Sequence, residues 1–489
     1  MNLTEFVRRS ADTHAQRPAV TDTRSGHGLS YAELGRETER VRTFLRGAGV
    51  ERGQRIGLLA PNGIAYLPAA FGLLATEACL VPIPTNLTPE EIGQILREVD
   101  VNGCLAGPTT DPLPTSSGRA TLGGGACDGF TFEWIARDAE GPEALRRLNP
   151  AFIRFTSGTT ANRKGVVLSH EATAARVEAS DRVLRFSEAD RILWVLPLAY
   201  HFAVTIVAYV RAGAHILMCP DTLPAAMVDA IRRLRASVLY ASPLHFERIS
   251  RLEPTGPLTG VRLALSTSAP ISTTVMERFQ STYDLPIGQA YGIIEAGLPC
   301  INRGTEGLAP ESVGRPVPGY DVAVFSEDGA PMPVGTAGEI GVRGDGLFSA
   351  YYAPWVLREQ MARNGWFLTG DIGSLGEDGA LVLKGRKKAV IFVAGLKFFP
   401  EEVEACINRF PGVRESRVFG RPHPHLGQVP EAEVVLDEPA ADLNALRAHC
   451  AQALSPYKVP LQFTVVEATA KSPGGKLRRR PVSVSDEGA

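Results

Sequence analysis

Between Thr156 and Gly165 the chain reads TSGTTANRKG, which places four hydroxyls, two glycines and a lysine in a short space between apolar flanks. Backbone N–H groups of a glycine turn, joined by Ser and Thr hydroxyls, can surround one phosphate with many donors at little steric cost. The spacing is not that of a Walker A loop. Counted from Gly158, the required second glycine is Arg163, and Lys164 is followed by Gly165 instead of Ser or Thr. Read alone, the stretch is more often a plain polar turn between two strands. Other residues have the same two-sided character. Lys476 in PGGKLRRR sits on a glycine loop, where a lysine can neutralise two anions at once, yet KLRRR is a solvated basic tail in most proteins. Asp371 in TGD alone is a turn residue, and Tyr291 in QAYG alone is an ordinary core aromatic.

The elements that would position these residues are legible in the hydrophobic pattern. SYAELGRETERVRTFLRGAGV has helical spacing with a glycine stop, RIGLLA reads as a buried strand, AYLPAAFGLLATEA as a helix and CLVPIP as another strand. This alternation predicts an α/β sheet covered by helices. Gly107 to Gly129, rich in Gly, Pro, Ser and Thr, reads as a surface loop. RILWVLPL, HILMCP, SVLYAS and VRLALSTS continue the strands, with PAAMVDAIRRLRA a helix between them. After Glu311 the texture changes to short strands and turns, as in YDVAVFSEDGAPMPVGTAGEIGVRG, which predicts a small antiparallel or barrel-like region. From near Gly385, KAVIFVAGLKFFPEEVEACINRF gives a strand, a loop and a helix of a small α+β unit. The expected division is a large N-terminal domain, 1–385, and a small C-terminal domain, 386–489.

Composition narrows the partners. With 51 basic and 53 acidic residues the net charge is −2, which gives no electrostatic footprint for nucleic acid or an anionic membrane. The most apolar stretch, Ile64 to Val81, is broken by Pro68 and Glu77 and makes a poor membrane span. Seven scattered cysteines, with no CxxC pair, read as buried thiols in a reducing compartment. No apolar signal segment opens the chain, so a cytoplasmic enzyme acting on a small molecule is expected. A homodimer is compatible with this reading.

The order of the motifs is more specific than any one of them. TSGTTANRKG, LPLAYHF, STSAP, QAYGIIEAG, SVGRPVPG, GWFLTGDIG, LKGRKKAVIFVAGLKFFPEEVE and KSPGGKLRRR follow one another along essentially the whole chain. The series resembles the ANL superfamily of adenylate-forming enzymes, which includes acyl-CoA synthetases, nonribosomal peptide synthetase adenylation domains and luciferases. The resemblance implies activation of a carboxylate by ATP to an acyl-adenylate and pyrophosphate, followed by transfer to a thiol. It implies ATP, Mg2+ and either CoA or the phosphopantetheine of a carrier protein.

By this resemblance Thr156, Ser157, Gly158, Thr159 and Thr160 hold the β- and γ-phosphates, with Lys164 nearby. The usual continuation, Gly, any residue, Pro, Lys, is replaced by Ala161, Asn162, Arg163 and Lys164. Glu295 is the implied magnesium ligand, and the Thr usual before it is Ile294. Tyr291 and Gly292 lie on one side of the adenine and Ser268, Ala269 and Pro270 on the other. Asp371 takes the ribose hydroxyls, Arg386 makes a second ribose or phosphate contact, and Lys476 bridges the substrate carboxylate and the α-phosphate. Lys388 is the implied hinge about which the C-terminal domain turns, and Gly395 and Lys397 line the thiol channel, with Ala394 in place of a usual glycine.

Amino-acid-activating relatives carry an aspartate near the LPL motif, and PLAYHFAVTIV contains no acid, so an α-amino acid is not the expected substrate. Tyr200, His201, Phe202, Ala203 and Gly297 are the implied pocket, and its apolar members predict an aryl, alicyclic or medium-chain acid. His201 is expected as a packed or hydrogen-bonded residue, since a carboxylic acid is already ionised at neutral pH and needs no base. The leading expectation is an acid:CoA ligase. The alternatives are a stand-alone ligase loading an acyl carrier protein, and a catalytically weak adenylate-binding relative.

Overall fold

The computed structural model describes the chain except residues 109, 111–115, 136–140, 156–164, 394–395, 425, 438–441, 472–476 and 478–489, together with the side chains of 116–118, 388 and 397. Among the described residues, two nine-stranded sheets make up most of the N-terminal part. The first is built on parallel neighbours such as Arg55–Leu59 and Cys79–Ile83, paired Ile56 to Leu80 and Leu59 to Ile83. Both strands are buried along their whole length, which explains why they read as continuous apolar runs without alternation. The second sheet carries the parallel series His215–Met218, Arg191–Trp194, Val238–Ala241, Leu263–Ser266 and Ile287–Ile293.

Helices cover the sheets. Tyr31–Gly47 starts where Ser30 accepts from the Glu33 amide and Glu33 returns a carboxylate to the Ser30 amide, a capping box that contributes about 1 kcal/mol. It packs on Tyr66–Ala75, whose first nine residues are all buried. Gly72 permits this approach: a Cβ there would lie 2.5 Å from Val41 Cβ. One large core runs through both sheets, and a separate core around Val403, Val418 and Val434 belongs to the C-terminal unit.

The barrel-like region is a four-stranded antiparallel sheet, Tyr320–Phe325, Gly338–Gly344, Phe367–Leu375 and Leu381–Arg386. Leu381–Arg386 is its last strand, and Ile391–Val393 already belongs to the five-stranded C-terminal sheet. Sheet membership therefore changes within residues 387–390, where Lys387–Ala389 makes a single 3-10 turn.

Two local readings differ from the expectation. The Gly107 to Gly129 stretch contains an edge strand, Ser116–Thr121, antiparallel to Thr131–Ile135. A Ser/Thr-rich edge needs no apolar face of its own, so composition alone reads it as loop. RILWVLPL keeps its strand only to Trp194, because Asn62 pulls the chain into a turn: its Nδ2 donates to the Leu196 carbonyl and its Oδ1 accepts from the Leu198 amide. A short helix, Leu198–His201, follows. All seven cysteines are free and buried, and burial pushes the Cys104, Cys127 and Cys450 thiols up to about 12. Among the described residues no helix is long and apolar enough to cross a membrane.

Candidate active site

The strands flanking the hydroxyl-rich stretch, Pro150–Phe155 and Gly165–Ser169, form an antiparallel pair in which Phe155 faces Gly165. Thr156, Ser157, Gly158, Thr159, Thr160 and Lys164 lie outside the described residues, but the residues flanking them, Phe155 and Gly165, are paired. On the far side of Gly165–Ser169 runs the short strand Ala350–Tyr351, with Tyr351 opposite Val166. From this position the Tyr351 hydroxyl donates to Glu295 Oε1 at 2.8 Å. Glu295 is thus tied to the base of the loop.

Its backbone is fixed as well. Arg176, fully buried in the helix His170–Leu184, donates to the carbonyls of Ile294, Glu295 and Gly346. The Phe348 amide donates to the Glu295 carbonyl at 2.7 Å. Burial, with the Glu295 charge second, holds the Tyr351 phenol well above its ordinary pKa, so it stays a donor. A carboxylate held by one donor keeps lone pairs free, and a hard oxygen donor suits magnesium.

A second carboxylate is framed by sheet register. Asp371 and Arg386 face each other across the antiparallel pair of the four-stranded sheet. Arg386 Nε donates to Asp371 Oδ1 at 2.9 Å, and the Tyr291 hydroxyl donates to Oδ2 at 2.7 Å. Asp371 is 6% exposed while the Arg386 side chain is 57% exposed, so the carboxylate is walled and the guanidinium faces solvent. Burial and the adjacent Asp371 charge keep the Tyr291 phenol protonated. One lone pair on each oxygen remains for further donors, which fits two hydroxyls of a ribose.

Gly292 follows Tyr291 where a Cβ would meet the Gly297 carbonyl at 2.8 Å, so the two strand ends can close only on glycine. Ser268, in STSAP, holds a left-handed φ of 77°, an uncommon conformation for a non-glycine residue and one that clusters at functional sites. Ala269 and Pro270 follow in the same turn.

Tyr200 and His201 end the short helix after the LPL turn, and Phe202–Ile206 continues as one π-helical segment, a distortion frequent at functional sites. His201 packs edge-on against Trp194, with ring centroids 5.9 Å apart, and against Tyr240 at 6.4 Å, as a packed histidine should. Phe202 and Ala203 are buried. Gly297 has a φ of 77° and lies against Arg176, where a Cβ would come 3.1 Å from Arg176 Cδ. Lys476 and Gly395 lie outside the described residues. Lys388 and Lys397 are placed by backbone only, in the 3-10 turn and in the strand Leu396–Phe398.

Sequence reading missed Tyr351, Arg176 and Arg154. Tyr351 carried no signal, because its role depends on pairing with a strand far away in the chain. Arg154 did carry one: a single charge in the otherwise apolar run PAFIRF.

The AMP-binding enzyme family model matches residues 7–352, and that of the AMP-binding enzyme C-terminal domain matches 402–476. A sulfoacetate–CoA ligase of Cupriavidus necator is 30% identical over 95% of this chain and 94% of its own length. The long-chain-fatty-acid–CoA ligase FadD13 of Mycobacterium tuberculosis is 26% identical, covering 97% of both chains. The ATP-bound MatB of Rhodopseudomonas palustris superposes with a TM-score of 0.84 over 98% of this chain and 97% of its own, at 24% identity. With the fold, the motif order and these matches together, the chain belongs to the AMP-binding enzyme family, within the ANL superfamily of adenylate-forming enzymes.

Proposed function

We propose that the protein is an AMP-forming acid:CoA ligase acting on a carboxylic acid without an α-amino group. The observation that carries this reading is the pair of prepared carboxylates: Asp371 between Tyr291 and Arg386, and Glu295 fastened by Tyr351 to the base of the hydroxyl-rich loop. Relatives named for acid:CoA ligation support the second half-reaction.

In this reading Asp371 accepts from the ribose, Tyr291 and Ser268 to Pro270 enclose the base, and the loop Thr156 to Thr160 takes the terminal phosphates. Glu295 would hold Mg2+, which neutralises phosphate charge when bound. The substrate carboxylate is already ionised, so the protein's task is to align two anions, and Lys476 supplies the cation between them. Rotation of the C-terminal unit about Lys388 then exchanges Lys476 for the thiol channel near Gly395 and Lys397. One fixed nucleotide site thereby serves both half-reactions.

The named relatives differ in their acids. One name specifies sulfoacetate, which carries a sulfonate beside its carboxylate, and the other a long-chain fatty acid. Incubation of the purified chain with ATP, Mg2+, CoA and a panel of acids, read for pyrophosphate and by mass spectrometry for adenylate and thioester, tests the proposal. Thioester with at least one acid is expected. Adenylate that persists with CoA and moves only to a carrier protein would favour the carrier-loading alternative. No pyrophosphate with any acid would favour the catalytically weak relative.

A further inference from the structure

Arg154 is the one charged residue of the strand Pro150–Phe155, and it is 5% exposed. Its Nη2 donates to the carbonyl of Tyr200, the first residue of the acid pocket. Among the described residues no carboxylate forms an ion pair with it. Its electrostatic surroundings contain a second buried cation, Arg176, as well as Glu295, Tyr66 and Tyr200. Burial, then the Arg176 charge, pulls its pKa down to about 10, so the guanidinium remains charged at neutral pH. A buried charge without an ion-pair partner is expensive to keep.

A second group beside it is also unmatched. Tyr66, at the start of the helix Tyr66–Ala75, is 1% exposed, feels the charge of Arg154, and its hydroxyl has no hydrogen-bond partner among the described residues. Its ring packs on Phe202 with centroids 5.8 Å apart, and Phe202 in turn lies 6.3 Å from Phe152. A guanidinium held on the Tyr200 carbonyl and a phenol packed on Phe202 therefore both lie against pocket residues. Arg154 has one N–H on the Tyr200 carbonyl and no carboxylate paired with its charge among the described residues, so that charge is complementary to an anion, and a guanidinium suits the flat fork of a carboxylate or the oxygens of a sulfonate.

We propose that Arg154 and Tyr66 bind a second anionic group, carboxylate or sulfonate, on a short acid, so that the enzyme's substrates are dianionic acids. This rests on the ligase reading above. It differs from the apolar acid expected from Phe202 and Ala203 because the charge enters from a neighbouring strand instead of from the motif itself. The anion is additional to the reacting carboxylate, which must reach the α-phosphate.

The test uses the full chain with matched acids: propanoate against malonate and sulfoacetate, butanoate against succinate, hexanoate against adipate. Wild type is expected to prefer the best dianion over its matched monoanion by about 100-fold or more in kcat/KM, the scale of a buried charge pair. Arg154→Met should collapse that ratio to below about 10-fold, through the KM of the acid and with the KM of ATP unmoved, and Arg154→Lys should restore part of it. Tyr66→Phe removes a hydroxyl that has no partner among the described residues, so it should lower the ratio several-fold without lowering the melting temperature. A wild-type preference for the monoanions overturns the inference. So do variants that slow both acids equally, or an Arg154→Met that raises the KM of ATP, which would mark Arg154 as a phosphate ligand. Absence of pyrophosphate with every acid defeats the ligase reading itself, a result distinct from a clear monoanion preference.

Discussion

Replacing Asp371 by Asn keeps the shape of the side chain and removes its charge. The carboxylate now accepts from Tyr291 at 2.7 Å and from Arg386 Nε at 2.9 Å, leaving one lone pair on each oxygen for the ribose. The amide puts an NH2 on one side. Facing Arg386, it would set two donors against each other; facing Tyr291, the phenol can turn and accept. The preferred orientation therefore costs the ribose one acceptor and reduces the other from a charged to a neutral one. Hydrogen bonds to charged groups contribute about 1.5–3 kcal/mol and neutral ones about 0.5–1.5 kcal/mol, so losing one charged bond and weakening the other to a neutral one costs about 2.5–4.5 kcal/mol. The KM of ATP should rise by about 70- to 2,000-fold. Folding should be little affected, because the Arg386 side chain is 57% exposed and such a pair contributes about 0–1 kcal/mol. The assay is pyrophosphate release against ATP and its 2′-deoxy and 3′-deoxy analogues, with a melting curve alongside. Wild type should lose affinity for the deoxy nucleotides, and Asp371→Asn should lose less, since one of its ribose contacts is already gone and the other already weakened. Equal deoxy penalties in the two enzymes, or an unchanged KM for ATP, would refute the assignment.

Tyr351→Phe removes the side-chain hydroxyl that donates to the Glu295 carboxylate, and should lower kcat about tenfold and raise the Mg2+ concentration needed for half-maximal rate; an unchanged Mg2+ dependence would count against it. Lys476→Ala should nearly abolish adenylate formation while ATP still binds, measured by pyrophosphate release and by calorimetry. Stability should fall on acidification. Burial holds His170, His215 and His245 down to about 4, so each is neutral in the folded chain and takes up a proton more readily when unfolded. Their contribution is fully present above the unfolded pKa of about 6.5 and is lost as pH drops from there towards 4, which denaturant titrations across that range will read as a falling midpoint. His170→Gln should flatten part of that slope, since the Leu3 amide that donates to Nδ1 keeps an acceptor.

Much of the molecule was open to reading from local pattern, for identifiable reasons. Strands such as RIGLLA and CLVPIP are buried on both faces, and a short, largely apolar run bounded by turn residues has few other uses. The pairing of Asp371 with Arg386 lay within reach because both sit in strands of one antiparallel sheet, close in sequence. Tyr351 lay beyond it: its partner strand starts at Gly165 and its carboxylate partner is Glu295, contacts across long separations that no spacing encodes. Arg154 illustrates the opposite case. The charge stood out in PAFIRF, but its meaning came only from the carbonyl of Tyr200 and the hydroxyl of Tyr66.

The short passage between the two final sheets sets a mechanical limit. Residues 387–390 separate the strand that ends at Arg386 from the one that begins at Ile391, a tether whose full extension is about 14 Å. Arg386 is itself clasped to Asp371. Any pivoting of the C-terminal unit would thus have its fulcrum beside Asp371: points near the fulcrum would barely travel, while the far strands of that unit would sweep a long arc. Under the proposed function a nucleotide held at Asp371 would stay seated while the lever swung, the length of the swing set by the size of the C-terminal unit and not by slack in the joint.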